Sequence, residues 1–469
     1  MKKIAFVLAA LAAAACSQPK QVFVPKDLQD MDLQDTASLY CLQRSVSTDD
    51  IIVLWEKGFG PDVSKAPDYK GNNMTPDLDN LLSRAQSFYE FYRDRMHFIL
   101  PGSKADSLKM MIMLKYDDEG TAYGGDYDGT IGALWVTPLR TRDERMNCIA
   151  HELGHSFQSQ LSIDSGSGFG GGGIYEMTSQ WMLWNVNPLW VDDETYHWNA
   201  FMPLTHLAFM HPDNMYRSPY VLEYWSEKRG LDFIADLWRA AEGKHDVVEV
   251  YEEFTGMDEE AFGAEIYDCY AHMMAYDLPR VREVMKPYAN RHSSTLQPAD
   301  ADGWMAVASD RVPQQYGYNG IELPLPADGA LTLTLKGGDG YMDPERPRPE
   351  FDFGEPDGVD HSVGIELVED EDAPDFPEVE LPSREALTAA YSEDAAWTFG
   401  LVAVAPDGGC TYSPAAKSTL AAPASLEFTV PDGTEHLWLV VTPTPAHHCD
   451  VAEWATDNLL YYPYSVKIN

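Results

Sequence analysis

The residues best equipped for chemistry stand together in "CIAHELGHSFQSQ" (148–160), where His151-Glu152-Leu153-Gly154-His155 forms an H-E-x-x-H pattern. Two histidines four apart on a helix stack on one face, so their imidazoles can point at one ion. Zinc accepts imidazole nitrogen, and a catalytic zinc keeps three protein ligands and one open position. Glu152 projects to one side, where its carboxylate can take a proton from water. A helix carrying two hydrogen-bonded histidines for packing alone shows the same pattern, so the third ligand decides.

The metzincin extension requires glycine at 158 and histidine at 161; Gln158 and Leu161 stand there, which excludes that class. Two acids follow. Asp164 opens the glycine-rich "DSGSGFGGGG" (164–173), without the flanking pattern of zincins that use an aspartate. Glu176 lies 21 residues beyond His155 (176 − 155), at the start of a second helical segment, "IYEMTSQWMLW". An acid at a helix start is also favoured by the helix dipole. As a ligand Glu176 is preferred, because a loop followed by a second helix is how gluzincins supply their glutamate. Ser179 and Gln180 share its face and can hydrogen-bond an imidazole ligand. The expected set is therefore zinc on His151, His155 and Glu176, with Glu152 as the catalytic acid–base. Donors for a developing oxyanion can come from His206, His211, Tyr216 or Tyr220 in "THLAFMHPDNMYRSPY", and spacing does not rank them.

These residues need elements to hold them. Thr141-Arg-Asp-Glu144 reads as a capping box and predicts a helix start at Thr141. Ile149, Leu153, Phe157 and Leu161 form its apolar stripe, and Ala150, Gly154 and Ser156 leave room for close packing. Upstream, "DIIVLWEKGFG" (50–60), "LKMMIMLKY" (108–116) and "GTIGALWVTPL" (129–139) read as strands, the last entered through a turn, "YGGDYDG". "GALWVTP" is expected to border the cleft. "DLDNLLSRAQSFYEFYRDRM" (77–96) has helical spacing. Residues 174–295 read as helices, with their tryptophans and tyrosines as core. Beyond 300, short alternating runs with Gly/Pro/Asp turns, among them "ALTLTLKGG" and "HLWLVVTPTP", predict a β-sandwich. The acidic, Pro-rich 343–360 reads as a loop.

A chain of 469 residues exceeds one ordinary core. With 33 basic against 75 acidic residues the formal charge is −42, a field that repels nucleic acid and anionic membrane surfaces. No Ca-loop pattern accompanies it. "MKKIAFVLAALAAAACSQ" reads as a signal peptide, with Cys16 placed for lipidation, although Ala13 stands where Leu or Val is usual. Export permits disulfides, and Cys410 with Cys449 is the best pair; Cys148 reads as a small buried hydrophobe.

"WEKGFG", "AYGGDYDGTIGALWVTP", "AHELGHSFQSQ" and "YEMTSQWM", in this order, resemble an uncharacterised family of bacterial exported gluzincin-like zinc metallopeptidases with a C-terminal β-rich region. The resemblance covers roughly 36–290 closely. It implies His151, His155 and Glu176 as metal ligands and Glu152 as catalytic acid. The expected organisation is a signal peptide (1–16), a tether (17–35), an α+β zincin-like (gluzincin) catalytic domain (36–295, with an α/β part to about 160 and a helical part at 174–295) and an all-β sandwich domain (296–469). The expected function is a Zn2+-dependent metallopeptidase, secreted or anchored at the surface through Cys16. It would act as a monomer on extracellular polypeptides or glycoproteins and bind no nucleic acid. A non-catalytic glycan- or protein-binding lipoprotein and a zinc amidase acting on cell-wall material are the alternatives.

Overall fold

A computed structural model describes residues 19–29, 31–341, 384–448 and 460–469. The signal segment with Cys16, the loop 343–360 and Cys449, hence its pairing with Cys410, lie outside the described residues. The fold is α+β, a mixture of helices and three five-stranded sheets.

After a short helix α1 (Lys26–Gln29), the first sheet is built from β1 (Ser45–Ser47), β2 (Ile51–Trp55), β3 (Met110–Leu114), β4 (Ala122–Tyr127) and β5 (Ile131–Val136), in the order β1-β2-β3-β5-β4. β2, β3 and β5 run parallel, and β1 and β4 are antiparallel edges. Every residue of β2 and β3 is buried, which explains their unbroken apolar runs. Helix α2 (Leu78–Asp94) connects them; Asp77 caps it by accepting from the Asn80 N–H at 3.2 Å.

Of the stretch "YGGDYDG", only Asp128 and Gly129 form the turn into β5, at φ 55° and 57°. Residues 122–127 form the edge strand β4, so β5 is interior and β4 borders the cleft instead. Gly124 misleads because its role is close approach. A Cβ on Gly124 would sit 2.0 Å from the Glu152 carbonyl oxygen, and one on Gly132 2.6 Å from that of Ser156. The sheet thereby lies directly on α3 (Asn147–Ser165).

Helix α3 does not start at Thr141. That residue ends a 3-10 turn, Pro138–Thr141, and its hydroxyl donates to the Pro138 carbonyl. Met146 then takes a left-handed conformation (φ 56°), and the Asp143 carboxylate accepts the Asn147 N–H at 2.7 Å. Met146 is thus the N-cap, and the Asp143 carboxylate satisfies the first helical N–H in place of a capping side chain. Ile149, Leu153, Phe157 and Leu161 are all buried as expected, and Gly166 ends the helix at φ 68°.

The helices that follow are α4 (Gly173–Val186), α5 (Trp190–Asp193), α6 (Thr195–Phe201), α7 (Tyr220–Arg229), α8 (Phe233–Ala240), α9 (Val247–Thr255), α10 (Glu259–Met273) and α11 (Arg282–Met285). Trp181, Trp184, Trp190, Trp225 and Trp238 are fully buried among them. Two antiparallel sheets follow among the described residues. One contains β6 (Leu296–Pro298), β7 (Met305–Val307), β9 (Ala330–Gly337), β13 (Ala424–Thr429) and β15 (Tyr464–Ile468). The other contains β8 (Asn319–Leu323), β10 (Ala396–Val404), β11 (Cys410–Tyr412), β12 (Ala416–Thr419) and β14 (His436–Pro443), and helix α12 (Arg384–Asp394) leads into it. Leu333, Leu335 and Val466 of the first share a core with Phe399, Leu401, Leu437 and Leu439 of the second. The reverse face of β10 and β14, with Val402, Trp438 and Val440, belongs to the core of the helical region. Burial on both faces explains the continuous "HLWLVV" of β14.

Candidate metal centre

Three ligand atoms converge where α3 meets α4. His151 Nε2 stands 3.0 Å from Glu176 Oε2, His155 Nε2 3.2 Å from the same oxygen, and the two Nε2 atoms are 3.1 Å apart. α3 supplies the histidines four apart, and the first turn of α4 supplies the glutamate. Gly154 makes the approach possible: a Cβ there would lie 2.5 Å from Ser179 Oγ. Ser179 in turn donates to the His151 carbonyl, tying the two helices across the site.

The tautomers follow from the glutamines. Gln180 Oε1 is 2.8 Å from His151 Nδ1, and Gln158 Oε1 is 2.9 Å from His155 Nδ1. Both amides are oriented by backbone: Gln180 Nε2 donates to the Tyr216 carbonyl at 2.7 Å and Gln158 Nε2 to the Tyr175 carbonyl at 2.9 Å. Each Oε1 therefore faces its imidazole as an acceptor, and each Nδ1 carries the hydrogen. Both Nε2 atoms then present lone pairs to each other and to a carboxylate oxygen. Such a set needs a cation or a shared proton at its centre.

The donor set fits zinc. Two imidazoles and a carboxylate are a catalytic zinc ligand set, and ligands at 2.0–2.1 Å around a tetrahedral ion stand roughly 3.3 Å apart, within a few tenths of an ångström of the separations present. His151, His155 and Glu176 are the one His/Cys/Asp/Glu group among the described residues close enough to hold a metal. The charges respond accordingly. Burial pulls the His155 pKa down, but the Glu176 carboxylate more than reverses this and pushes it up to about 9. Burial likewise opposes ionisation of Glu176, yet the two histidines hold its carboxyl well below the usual range.

Glu152 sits beside this set, partly exposed, and its carboxylate makes no hydrogen bond among the described residues. Asp164 is excluded as a ligand: it lies at the far end of α3, where it accepts from Ser103 Oγ and, at 3.0 Å, from Gln160 Nε2. Of the four oxyanion candidates only Tyr216 reaches the centre, its ring 6.0 Å from that of His151 at 28°. Burial, then Glu176, push its hydroxyl pKa up, so it stays a donor. Tyr220 is core, against Trp184 and Phe201; His206 and His211 are buried elsewhere. The sequence reading missed two polar neighbours, Gln158 and His197. Gln158 had a signal, its position three residues beyond His155 on one helix. His197 Nε2, 3.4 Å from both Gln180 Nε2 and Glu194 Oε2, had none, because it comes from the separate helix α6.

The edge strand runs past this centre. The Thr137 N–H donates to the Thr121 carbonyl, which makes Tyr123–Trp135 and Gly125–Ala133 the hydrogen-bonded pairs of the β4–β5 ladder. The backbone groups of Ala122, Gly124 and Asp126 consequently point away from β5, across the open edge.

A model of a family described as "Family of unknown function (DUF6055)" matches residues 14–469. No curated protein matches the chain.

Proposed function

We propose that this chain, which belongs to the DUF6055 family, is a zinc-dependent hydrolase cleaving peptide bonds in extended polypeptides, with residues 36–295 as a zincin-like catalytic region. One observation carries the reading: two imidazole nitrogens and a carboxylate oxygen meet within 3.0–3.2 Å, and two backbone-locked glutamines orient the imidazoles. A packing helix has no need of that arrangement.

His151, His155 and Glu176 would hold the ion, and Gln158 and Gln180 would keep the imidazoles aimed. Zinc in this set supplies Lewis acidity, which polarises a carbonyl and brings the pKa of water towards about 7. Glu152, whose carboxylate makes no hydrogen bond among the described residues, would accept the proton of the attacking water and pass it to the leaving nitrogen. The Tyr216 hydroxyl, beside Glu176, donates to the oxyanion as charge develops. The open groups of Ala122, Gly124 and Asp126 offer an extended chain a strand to pair with, which favours polypeptide over a compact substrate. Export, with anchoring through Cys16, is part of the same reading and rests on the N-terminal sequence.

The test is proteolysis by the zinc-loaded full chain against capped peptides and extracellular glycoproteins, read by mass spectrometry beside Glu152→Gln. Cleavage that falls about 10²–10⁴-fold in the variant, with zinc retained, is expected. A zinc-loaded parent inert across the panel, or a variant as active as the parent, contradicts it.

A further inference from the structure

The face of β4 turned away from the metal helix carries an aromatic row that the chemistry leaves unused. Gly124 faces α3, so alternation places Tyr123, Gly125 and Tyr127 on the opposite side. Tyr123 pairs directly with Trp135 of β5. Their rings stack, with centroids 5.0 Å apart and planes at 13°. Trp135 is held in turn by Tyr127, whose hydroxyl accepts its indole N–H at 3.2 Å, and whose ring meets it edge-on at 4.8 Å. Tyr123 is nonetheless 44% exposed, a large fraction for a ring in the middle of a strand.

The exposure has a direction. β5 lies on one side of β4 only, so Trp135 covers one face of the Tyr123 ring and the other looks across the open edge. Lys115 Nζ lies over the ring, 5.9 Å from its centroid. A chain pairing with Ala122, Gly124 and Asp126 becomes the next strand. Its side chains alternate, and one of them arrives on the Tyr123 side, at the 4.5–5.5 Å spacing of cross-strand neighbours.

We propose that Tyr123 is a specificity-determining residue: its outer face, backed by Trp135, forms a subsite for a Phe, Tyr or Trp side chain of the bound polypeptide. The inference rests on the peptidase reading above and deepens it. The substrate ring becomes the third member of a ladder that already contains two. A pre-stacked, anchored pair loses little freedom on binding, and an offset-stacked aromatic pair discriminates over aliphatic neighbours by about three- to tenfold. The subsite is separated from the metal ligands by the thickness of the strand, so its effect falls on binding and side-chain preference rather than on the reacting atoms.

The test uses the zinc-loaded full chain carrying Glu152→Gln, so that capped dodecapeptides bind without turnover. A single Phe, Tyr or Trp is walked along the peptide, with Leu at the same position as reference, and affinity is read by fluorescence anisotropy. One position is expected to favour the aromatic by three- to tenfold. Tyr123→Leu, which keeps apolar bulk, should cut that preference below about twofold; Tyr123→Trp should keep it. An undiminished aromatic preference in Tyr123→Leu, or no aromatic preference with Tyr123 in place, overturns the inference and leaves the peptidase reading standing. A zinc-loaded chain that binds none of the peptides overturns both.

Discussion

Between α3 and α4 the interior is crowded with polar groups: two imidazoles, a carboxylate and two amides, each hydrogen-bonded to another. Between the two antiparallel sheets, Leu333, Leu335, Phe399, Leu401, Leu437 and Leu439 meet instead. The first arrangement is costly to bury and is stable only when every donor and acceptor is satisfied. The second follows from patterning alone. The contrast separates the tasks. The candidate site belongs to the α3–α4 junction, and the sheets join the helical region through the outer face of β10 and β14. Tight approaches at that wall, such as Gly400 against Tyr267 and Gly263 against Thr444, leave little room for sliding.

Substitutions can break this division or sharpen it. The largest effect is expected from Leu439→Ala, which opens a cavity between the sheets and should cost about 2–5 kcal/mol in urea unfolding. Zinc affinity, measured below the unfolding transition, should stay within twofold; a parallel loss would mean that the two regions are one unit. Gly124→Val acts where the regions' rules differ. It forces a side chain against the Glu152 carbonyl, so a cost of about 1–3 kcal/mol should come with weakened zinc binding. Unchanged metal affinity there would show that β4 does not set the position of α3. Gln158→Leu and Gln180→Leu should each weaken zinc roughly 10–100-fold in a chelator competition while altering stability little.

The smallest effect concerns Glu252 on α9. One of its carboxylate oxygens is buried without a hydrogen-bond partner among the described residues. Burial, then Glu259, push its pKa up to about 7, with His448 opposing. The folded pKa lies above the ordinary value, so ionisation costs the fold. That cost grows as pH rises from about 4.5 to about 7 and is absent below this window. Glu252→Gln should therefore raise the melting temperature at pH 8 and change it little at pH 4.5; equal shifts at both would refute the assignment.

Much of this was legible in the sequence, because the relevant forces are local. The ligand spacing of His151 and His155 is a helical period, the stripe Ile149–Leu161 is an apolar face, β9 declares itself by alternation and β14 by a strand-length apolar run. What was illegible depends on neighbours distant in the chain. Gly124 looks like part of a turn until α3 is laid against it. The capping box at Thr141 satisfies the local pattern, yet the left-handed Met146 and the Asp143 carboxylate decide where α3 begins. Tyr216 could be chosen from four candidates only once α7 and the segment before it had been placed, and His197 meets the site through Gln180 from a separate helix.

The central claim is the metal centre, and metal content tests it most directly. The full chain and Glu176→Ala are reconstituted with zinc, passed through gel filtration and analysed for zinc per folded chain. Close to one ion in the parent and far less in the variant is the predicted result. A parent that emerges without zinc would contradict the account and leave His151 and His155 as a hydrogen-bonded pair on a packing helix.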